Sequence, residues 1–584
     1  MEIHFLGGAT TVTGSQFLLV TERARILIDC GMFQGSPNEA VRNRVPLAYD
    51  PSGIDAILLT HAHLDHCGLI PHVVDAGFHG PIIATRGTCE LAELVLLDSG
   101  RLQQEFAKRE ARWERKHPDK VAADDAKERA AYDAAVHLSE HPETPVELGT
   151  GRGSAEETEG PPPTPDAATI ASSGVSEEVA ADVKPGSSSA APTSVSAAPT
   201  SVSAAPDTAP AAPIPDPEVE LRNQPPELQI DLDEPLYTEQ QAKAAIAQFR
   251  PIEYDTELEI APGIHARYLD AGHILGSAII RVRVVEREGG PERTIVFSGD
   301  LGRPGTPIIR DPTVLTDADY VLIETTYGGR EHEPGDEAIR ILAETIRMVA
   351  EAKGVLLVPS FAIGRTQEVV WELDRLIDRK EIPLLPLYLD SPMASKASDI
   401  YRRHADYFDE ETGKLLREGD TPLDYPDQHE TRLLPESQAI ATAPRPYMII
   451  ASNGMLTGGR VVGHLRNLIG DPDATLLFVG YQGEGTLGAH LQAGVKVVKL
   501  DGQERDVKCR IRSISGFSAH ADESELLDWL SNFAKGKEKG SAGFPRRVFL
   551  VHGDPEAQIA IEPKVRALGF DTHIPHWREA VTLD

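Results

Sequence analysis

Cysteine is scarce in this sequence, and long apolar runs are missing from it. The 584 residues include four cysteines, and no two of them form a CxxC pair: Cys30, Cys67, Cys89 and Cys509. That scatter argues against a disulfide framework and favours reduced thiols in a cytoplasmic protein. No run of about eighteen apolar residues occurs, so we expect no membrane-spanning helix. The first residues, MEIHFLGGAT, also lack the basic segment and apolar core of a secretion signal.

Positive charge is also in short supply. The 57 lysines and arginines face 91 aspartates and glutamates, which leaves a formal net charge of −34. Such an acidic total argues against a nucleic-acid partner, because phosphate binding favours basic surfaces. However, about half of the excess negative charge lies between His117 and Leu236. The total therefore says little about the charge of a local cleft elsewhere in the chain.

The same segment breaks the globular pattern. After Glu140 the chain is rich in Pro, Ala, Ser, Thr and Glu, and the heptapeptide APTSVSA occurs twice in tandem from Ala191. Proline in each repeat excludes a heptad coiled coil, and few residues could enter a core. We predict a low-complexity, disordered insertion from about residue 117 to 234. The alternative is a regulatory or partner-binding segment looped out of the folded protein.

Outside this segment, the pattern predicts an α/β protein of two or three domains. Short β-rich runs come first, with a helix at about residues 88–104 and strands at residues 2–6, 16–20, 25–28, 56–59, 81–84, 264–269, 278–285, 294–297 and 320–323. After Asp336 strands alternate with helices, as in a separate parallel α/β unit, with strands at residues 355–358, 384–389 and 448–451. Late strands at residues 476–479 and 548–551 return to the β-rich style.

The clearest chemical signal is the stretch ILLTHAHLDHCG. An apolar run ends there, and four ligand-type side chains follow within six residues: His61, His63, Asp65 and His66. Side chains alternate in an extended loop, so the first two histidines point to one side, while the last two residues begin a turn. One loop can thus supply two ligands to each of two adjacent metals. Imidazole and carboxylate without thiolate suit a zinc site that keeps a position open for water.

Further ligand candidates follow predicted strands elsewhere in the chain. His273 lies in LDAGHILGSA, Asp300 ends FSGD, and His552 lies in VHGD. Each alone could be structural, since an aspartate can cap a turn and a histidine can satisfy a backbone carbonyl. Their shared position after strands and beside glycines is typical of a set of converging ligands. Asp29, which ends ILIDCG, belongs to the same set, and we expect it to orient a ligand rather than to bind metal.

Together with IETTYGG and GFSAHAD, these motifs resemble the β-CASP branch of the metallo-β-lactamase superfamily. The resemblance covers nearly the whole chain except the insertion, and the motifs follow in the expected order. Within the branch, the sequence is similar to RNA-processing members related to the endonuclease subunit of the eukaryotic pre-mRNA 3′-end cleavage machinery. The resemblance implies an αβ/βα four-layer sandwich over residues 1–333 and 474–584, with a parallel α/β β-CASP domain inserted at residues 334–473.

The resemblance also implies a role for each site residue. The first of two zinc ions would be held by His61, His63 and His273. The second would be held by Asp65, His66 and His552, with Asp300 bridging both. The family's other pair matches Glu324 and His520. His520 would be the general acid for the departing ribose 3′ oxygen, Glu324 its orienting partner, and Asp65 belongs to the catalytic set as well.

The activity implied is that of a zinc-dependent ribonuclease in RNA processing or decay. Two metals about 3.5–4 Å apart can hold a bridging hydroxide that attacks phosphorus, which leaves a 5′ phosphate and a 3′ hydroxyl. A histidine in the last motif, here His552, resembles the RNA-processing members, whereas DNA-processing members tend to lack it. Single-stranded RNA is therefore the expected substrate. The choice between endonuclease and 5′ exonuclease activity stays open.

Glycine-rich and cationic stretches are candidates for holding the RNA phosphates. They are PSFAIGRTQE, SPMASK, SNGMLTGGR and GYQGEGTLG. Exposed backbone amides and nearby cations in such loops can cradle phosphates. The alternative is that the loops are tight turns between strand and helix. Together with the serine of GFSAHAD, the residues predicted to bind phosphate are Ser360, Arg365, Ser391, Asn453, Gly454, Arg460 and Ser518.

Two other functions remain as alternatives. One is a small-molecule metallohydrolase of the lactamase or glyoxalase type, although such an enzyme needs neither the inserted domain nor the pair Glu324 and His520. The other is a non-catalytic RNA-processing scaffold, although such proteins usually lack ligands that are all present here. We expect a minimal two-domain architecture and a homodimer, with no membrane contact. The insertion is a candidate for binding a further, unidentified partner.

Overall fold

The computed structural model describes residues 1–141, 234–287, 289–480, 482–483, 485–500 and 502–584. Its helices, α1 to α15 in chain order, span Pro37–Ala40, Leu64–Cys67, Ile70–Asp75, Arg86–Lys116, Pro118–Glu140, Glu239–Ile246, Gly335–Glu351, Arg365–Asp378, Pro392–Arg403, Glu410–Arg417, Leu434–Ala439, Arg460–Leu468, Leu487–Gln492, Glu523–Ser531 and Pro555–Ala567. Among the residues described, no helix is both long enough and apolar enough to cross a membrane.

The strands, β1 to β22 in chain order, span Glu2–Gly7, Gln16–Val20, Arg25–Ile28, Ala56–Leu58, Ile82–Thr85, Phe249–Ile252, Glu257–Ala261, Ile264–Asp270, Ala278–Val285, Glu292–Phe297, Tyr320–Glu324, Val355–Pro359, Leu387–Asp390, Gln428–Glu430, Tyr447–Ala451, Ala474–Phe478, Val497–Leu500, Gln503–Asp506, Arg510–Ser513, Arg547–Val551, Thr572–His573 and Glu579–Thr582. They confirm the predicted strands, with differences of a few residues at the ends. α4 is longer than predicted, because it continues to Lys116.

The first sheet pairs the first strand of the chain with the last. In the described residues its order is β22, β1, β2, β3, β4, β5, β6. β1 is antiparallel to both β2 and β22, whereas β3, β4, β5 and β6 are mutually parallel. The carboxyl ends of parallel strands lie at one edge of a sheet, so the loops after β3 and β4 meet there. The Asp29 amide after β3 accordingly donates a hydrogen bond to the Leu58 carbonyl of β4 at 2.9 Å.

The second sheet faces the first and contributes the other half of the core. Its order in the described residues is β21, β20, β11, β10, β9, β8, β7. β10, β11, β20 and β21 are parallel, so their carboxyl ends also share one edge. Alternate residues of both sheets point into the space between them, where the Phe5 and Phe549 rings lie 5.2 Å apart. Burial of this apolar surface holds the two sheets face to face.

Helices cover the outer faces of both sheets and complete four layers. α3, α4 and α6 place apolar side chains such as Val73, Leu91 and Ala242 against the first sheet. α14 and α15 place Leu526 and Ile561 against the second. The result is the αβ/βα four-layer sandwich that the sequence predicts.

A third, wholly parallel sheet forms the inserted domain. Its order in the described residues is β14, β13, β15, β12, β16, β19. β12, β15 and β16 are buried along their whole length, which explains their continuous apolar sequences. α7 and α8 pack on one face, and α12 packs on the other. The strand–helix alternation after Asp336 therefore predicts this domain correctly.

The inserted domain extends further along the chain than predicted. β16 pairs with β12, and β19 pairs with β16, so residues 474–478 and 510–513 belong to the third sheet. The predicted boundary at residue 473 is too early, because the chain returns to the sandwich only after Ser513. The sequence of a fully buried parallel strand does not indicate which sheet the strand joins, because both of its faces are apolar.

The predicted disordered insertion, from about residue 117 to 234, is wrong for its first part. Residues Pro118–Glu140 form α5, although their charged, alanine-rich sequence was assigned to the insertion. Tyr132 and Ala135 of this helix are buried, so it has a packed face. Residues 142–233, which include the tandem APTSVSA repeat, lie outside the described residues.

The packing between the first two sheets makes a stability test possible. Ile280 of β9 is fully buried between them, whereas Leu258 of β7 is 43% exposed. We expect Ile280→Ala to lower the free energy of unfolding by about 2–5 kcal/mol, because it leaves a cavity in a close-packed core. Leu258→Ala should change it by less than about 0.5 kcal/mol. Urea unfolding followed by circular dichroism measures both, and equal losses would contradict this packing.

Candidate active site

The HAHLDH segment lies at the edge of the first sheet where β4 ends. The backbone is extended at His63 (φ −70°, ψ 149°), and α2 begins with the next residue. Asp65 and His66 therefore lie on the first turn of a short helix, while His61 and His63 precede it. The predicted division of this loop into an extended half and a helical half is what the structure shows.

The extended half of the loop belongs to a first cluster of buried and half-buried donors. Its ligand-type atoms lie within 4.8 Å of one another and come from His61, His63, His273 and Asp300. His63 Nδ1 is 3.1 Å from His61 Nε2 and 3.2 Å from His273 Nε2. Asp300 Oδ2 lies 3.4 Å from His61 Nε2 and 3.6 Å from His273 Nε2. These four side chains thus point at one place.

The helical half belongs to a second cluster on the other side of Asp300. Donor atoms of Asp65, His66 and His552 also lie within 4.8 Å of one another. Asp300 Oδ1 is 3.2 Å from His66 Nε2 and 3.5 Å from His552 Nε2. The two oxygens of Asp300 therefore face different clusters. This is the geometry of a carboxylate that can bridge two cations.

Two buried atoms of the second cluster lack hydrogen-bond partners in the described structure. They are His66 Nε2 and Asp300 Oδ1, which lie 3.2 Å apart without the geometry of a hydrogen bond. Buried polar atoms are rarely left unsatisfied, because each unmade hydrogen bond costs about 1–3 kcal/mol. A cation at this point would satisfy both atoms at once. The residues present therefore fit a metal.

Hydrogen bonds behind the histidines orient their rings towards the clusters. Asp29 Oδ2 lies 2.8 Å from His66 Nδ1, and Asp29 Oδ1 accepts from the Thr60 amide at 2.8 Å. Ser15 Oγ lies 2.7 Å from His552 Nδ1. With the rear nitrogen engaged, the other nitrogen of each ring is directed at the metal position. Asp29 thus makes the contact with His66 that its predicted orienting role requires.

Burial and neighbouring charges set the protonation of the clusters. Burial lowers the pKa of four imidazoles, those of His61, His63, His273 and His552. The pKa of His552 falls to about 4. Burial acts to raise the pKa of Asp300, but the surrounding histidines hold it well below its ordinary value. Burial also acts to lower the pKa of His66, but Asp300 and Asp29 raise it well above the usual range. Neutral imidazoles and an ionised carboxylate are the forms that bind a metal, and a cation would replace the His66 proton.

Glu324 and His520 form a separate pair beside Asp300. Glu324 ends β11, is fully buried, and its Oε1 accepts from the Leu301 amide at 2.7 Å. His520 Nδ1 lies 3.1 and 3.2 Å from the two oxygens of this carboxylate. Burial acts to lower the pKa of His520, but Glu324 offsets this and raises it to about 9. Bound cations would act in the opposite direction, because they repel a protonated ring.

The residues predicted to bind phosphate lie at the carboxyl ends of neighbouring strands. Ser360 follows β12, Ser391 follows β13, and Asn453 lies just beyond β15. These ends share one edge of the third sheet, where Ser452 Oγ donates to Ser391 Oγ at 3.0 Å. In parallel α/β sheets this edge is where ligands usually bind.

The other members of that predicted set have partners within the chain. Arg365 is buried and pairs with Glu368, whereas Arg460 pairs with Asp390 at 2.7 Å. Gly454 lies against the Phe361 ring, where a Cβ atom would come within 3.0 Å of it. Ser518 Oγ accepts from the His520 amide at 3.3 Å. Both arginines therefore already neutralise carboxylates.

Ser15 and Thr60 are contributors that the sequence analysis missed. Ser15 holds His552, and Thr60 donates through Oγ1 to Asp29 Oδ2 at 2.9 Å. Ser15 precedes β2 and lies 537 positions from its histidine, so no local spacing links the two. A Gly-Ser pair before a strand is too common to identify an orienting residue. Thr60 could have been identified from the sequence, because it directly precedes His61.

The histidines of the site follow strands of a four-layer sandwich and surround one shared carboxylate. This combination defines a metallohydrolase of the metallo-β-lactamase type. Residues 9–174 match the metallo-beta-lactamase superfamily, and residues 366–491 match the Beta-Casp domain. Residues 504–575 match the Zn-dependent metallo-hydrolase RNA specificity domain. The chain belongs to the β-CASP family of this superfamily.

Curated relatives align along most of the chain. Ribonuclease TTHA0252 of Thermus thermophilus is 30% identical over 583 residues, with 100% of both chains covered. Transcription termination factor FttA of Methanosarcina mazei is 27% identical, over 97% of this chain and 69% of the relative. Transcription termination factor FttA of Methanocaldococcus jannaschii is 24% identical, over 100% of this chain and 72% of the relative. The similarity therefore extends over both the sandwich and the inserted domain.

The hydrogen bond that His66 Nδ1 donates to Asp29 predicts an effect on metal binding. Asp29→Asn keeps the size of the side chain but removes the charge that holds His66 Nδ1–H, so we expect metal affinity to fall by about 10- to 100-fold. Competition with a zinc chelator measures it. Asp55→Asn is the matched control, because among the described residues this exposed carboxylate accepts a hydrogen bond from the Arg25 amide alone. Unchanged affinity of the Asp29 variant would refute the orienting role.

Proposed function

We propose that this chain is a zinc-dependent ribonuclease that hydrolyses RNA phosphodiester bonds and leaves 5′-phosphate and 3′-hydroxyl ends. The observation that carries the proposal is the arrangement of two donor clusters on opposite oxygens of Asp300, with the Glu324–His520 pair beside them. The whole-length relative named a ribonuclease supports RNA as the substrate. So does the match to an RNA specificity domain, which includes His520 and His552.

The donor set supports two zinc ions. We assign His61, His63 and His273 to the first and Asp65, His66 and His552 to the second, with Asp300 shared. Imidazole and carboxylate donors without thiolate are typical of catalytic zinc sites, which keep a position open. When bound, two zinc ions lower the pKa of water to near neutrality and stabilise the charge that develops on the phosphoryl oxygens.

His520 supplies the proton for the leaving group. Its Nδ1 is committed to Glu324, so Nε2 is the atom that can protonate the ribose 3′ oxygen as the P–O bond breaks. Glu324 is itself held by the Leu301 amide at 2.7 Å, which fixes the direction of the ring. Glu324 raises the pKa of His520, which favours the protonated ring that a general acid needs. A general acid of this kind contributes about 100- to 10,000-fold.

We assign the approach of the RNA strand to the edge of the third sheet. The hydroxyls of Ser360 and Ser391 and the amides around Asn453 and Gly454 can bind phosphate oxygens there. Arg365 and Arg460 contribute by shaping the loops, since their guanidinium groups pair with Glu368 and Asp390. Ser518 contributes through its hydrogen bond with the His520 amide. Neutral donors of this kind bind a phosphate without requiring a basic surface.

Removing the shared carboxylate tests the metal assignment. We expect Asp300→Ala to lower RNA hydrolysis by at least about 100-fold, because even residues that only orient ligands contribute 10- to 100-fold. His63→Ala should behave similarly, and both variants should lose bound zinc by elemental analysis. Asp571→Ala is the matched control, because that carboxylate is 62% exposed and pairs only with Lys539 among the interactions described. Full activity in either ligand variant would sink the proposal.

The reaction products test the chemistry. Digestion of end-labelled single-stranded RNA should yield fragments with 5′ phosphates and 3′ hydroxyls, and chelation should abolish the activity, with zinc restoring it. Comparing 5′-monophosphate with 5′-hydroxyl substrates separates the two modes of cleavage. Mononucleotides released only from the monophosphate end indicate an exonuclease, and internal fragments an endonuclease. Hydrolysis of lactams or thioesters with no cleavage of RNA would favour a small-molecule metallohydrolase instead.

A further inference from the structure

The two segments that connect the sandwich to the inserted domain lie side by side. The chain leaves the sandwich after β11 and returns after β19. Gly329 donates to Glu523 Oε2 at 2.7 Å, and the Ser515 amide donates to Glu333 Oε1 at 2.8 Å. The return segment carries His520. The outgoing segment is thus the direct neighbour of the proposed proton donor.

The side chain of His332, in the outgoing segment, contacts the backbone of His520. His332 Nε2 lies 3.1 Å from the His520 carbonyl oxygen, and the His332 amide donates to Asp522 Oδ2 at 3.2 Å. The His332 ring packs edge-on against Tyr327, with centroids 4.3 Å apart. Tyr327 is 5% exposed, and its ring also lies 6.2 Å from that of His520. His332 is therefore fixed in the orientation that reaches the carbonyl.

The chemistry of its surroundings determines where the His332 proton lies. A carbonyl oxygen only accepts hydrogen bonds, so Nε2 must carry the proton. Burial and the nearby Arg303 lower the pKa of His332 to about 4, which leaves a single proton on the ring at neutral pH. Nδ1 is then an unprotonated atom, and it is buried without a hydrogen-bond partner among the described residues. The ring makes one hydrogen bond, and that bond is to His520.

We infer that His332 is a positioning residue for the general acid: its Nε2–H holds the His520 carbonyl and thereby holds the His520 ring against Glu324. This inference rests on the proposed ribonuclease function, in which His520 gives up a proton. The loop around His520 has no regular structure, so its position depends on such individual contacts. The residues on either side of His520 are also held. The Ala519 carbonyl oxygen lies 3.1 Å from His273 Nδ1, and the Ala521 amide donates to the Leu301 carbonyl oxygen at 2.8 Å. His332 holds the carbonyl between them.

The test uses two substrates that differ in their need for an acid. The ribose 3′ oxygen of RNA is a poor leaving group and needs a proton, whereas the p-nitrophenolate of bis(p-nitrophenyl) phosphate leaves without one. We expect His332→Phe, which keeps the ring but lacks the donor, to lower kcat on RNA by about 10-fold or more. Its kcat on the nitrophenyl ester should stay within about 3-fold of wild type. His332→Gln places an N–H near the same position and should recover most of the RNA activity.

Two controls make the result specific. His429→Phe changes an exposed histidine of β14 and should alter neither rate. Zinc content of every variant should equal that of wild type, which separates positioning from damage to the metal clusters. If the phenylalanine variant does not fold, His332→Asn replaces it, because asparagine is too short to reach the carbonyl.

The outcome for His520 itself separates the inference from the function on which it rests. His520→Ala should slow RNA cleavage far more than ester hydrolysis. If it slows both equally, the proton-donor role proposed for His520 fails. If His520→Ala discriminates between the substrates but the donor-deficient His332 variant does not, His332 has no positioning role and only the inference fails. Equal activity of the glutamine and phenylalanine variants on RNA would likewise overturn it.

Discussion

The site depends on a single buried carboxylate, that of Asp300. One of its oxygens faces His61 and His273, and the other faces His66 and His552. A carboxylate that is 2% exposed is costly to bury unless positive charge balances it. Four imidazoles of the two clusters have lowered pKa values, whereas His66 and His520 have raised pKa values and supply part of that charge. The metal cations proposed above would supply further positive charge around this carboxylate.

The sandwich brings the donors together because its strand ends share one edge. The loops after β4, β8, β10 and β20 carry His61, His273, Asp300 and His552, and Glu324 is the last residue of β11. Close approach of these loops needs small residues: Gly299, with φ +56°, leaves room for Thr60, which a Cβ atom there would approach to 3.0 Å. The inserted domain is joined to the same edge, since Glu324 precedes the outgoing connection and His520 lies on the returning one. The proposed proton donor therefore lies on a connection between the two domains.

Much of this was predictable from the sequence, for identifiable reasons. The strands of the sandwich, the parallel character of the inserted domain and the HAHLDH loop all depend on local periodicity and spacing, which a sequence displays directly. Two predictions were wrong: the domain boundary at residue 473 and the start of the insertion at residue 117. Local patterns did not indicate the correct positions. β16 is apolar on both faces and could belong to either sheet. Among the described side chains of α5, few are buried, so its helical pattern is weak.

The sequence by itself determined which donor types this protein offers and how each loop presents them, because neighbours along the chain constrain one another through backbone geometry. Tertiary structure alone decided which partners they meet. It placed Ser15 behind His552 across 537 positions and His332 behind His520 across 188. It also committed Arg365 and Arg460 to carboxylates within the chain. Contacts of this kind depend on how separate elements pack, and no spacing within either segment encodes them.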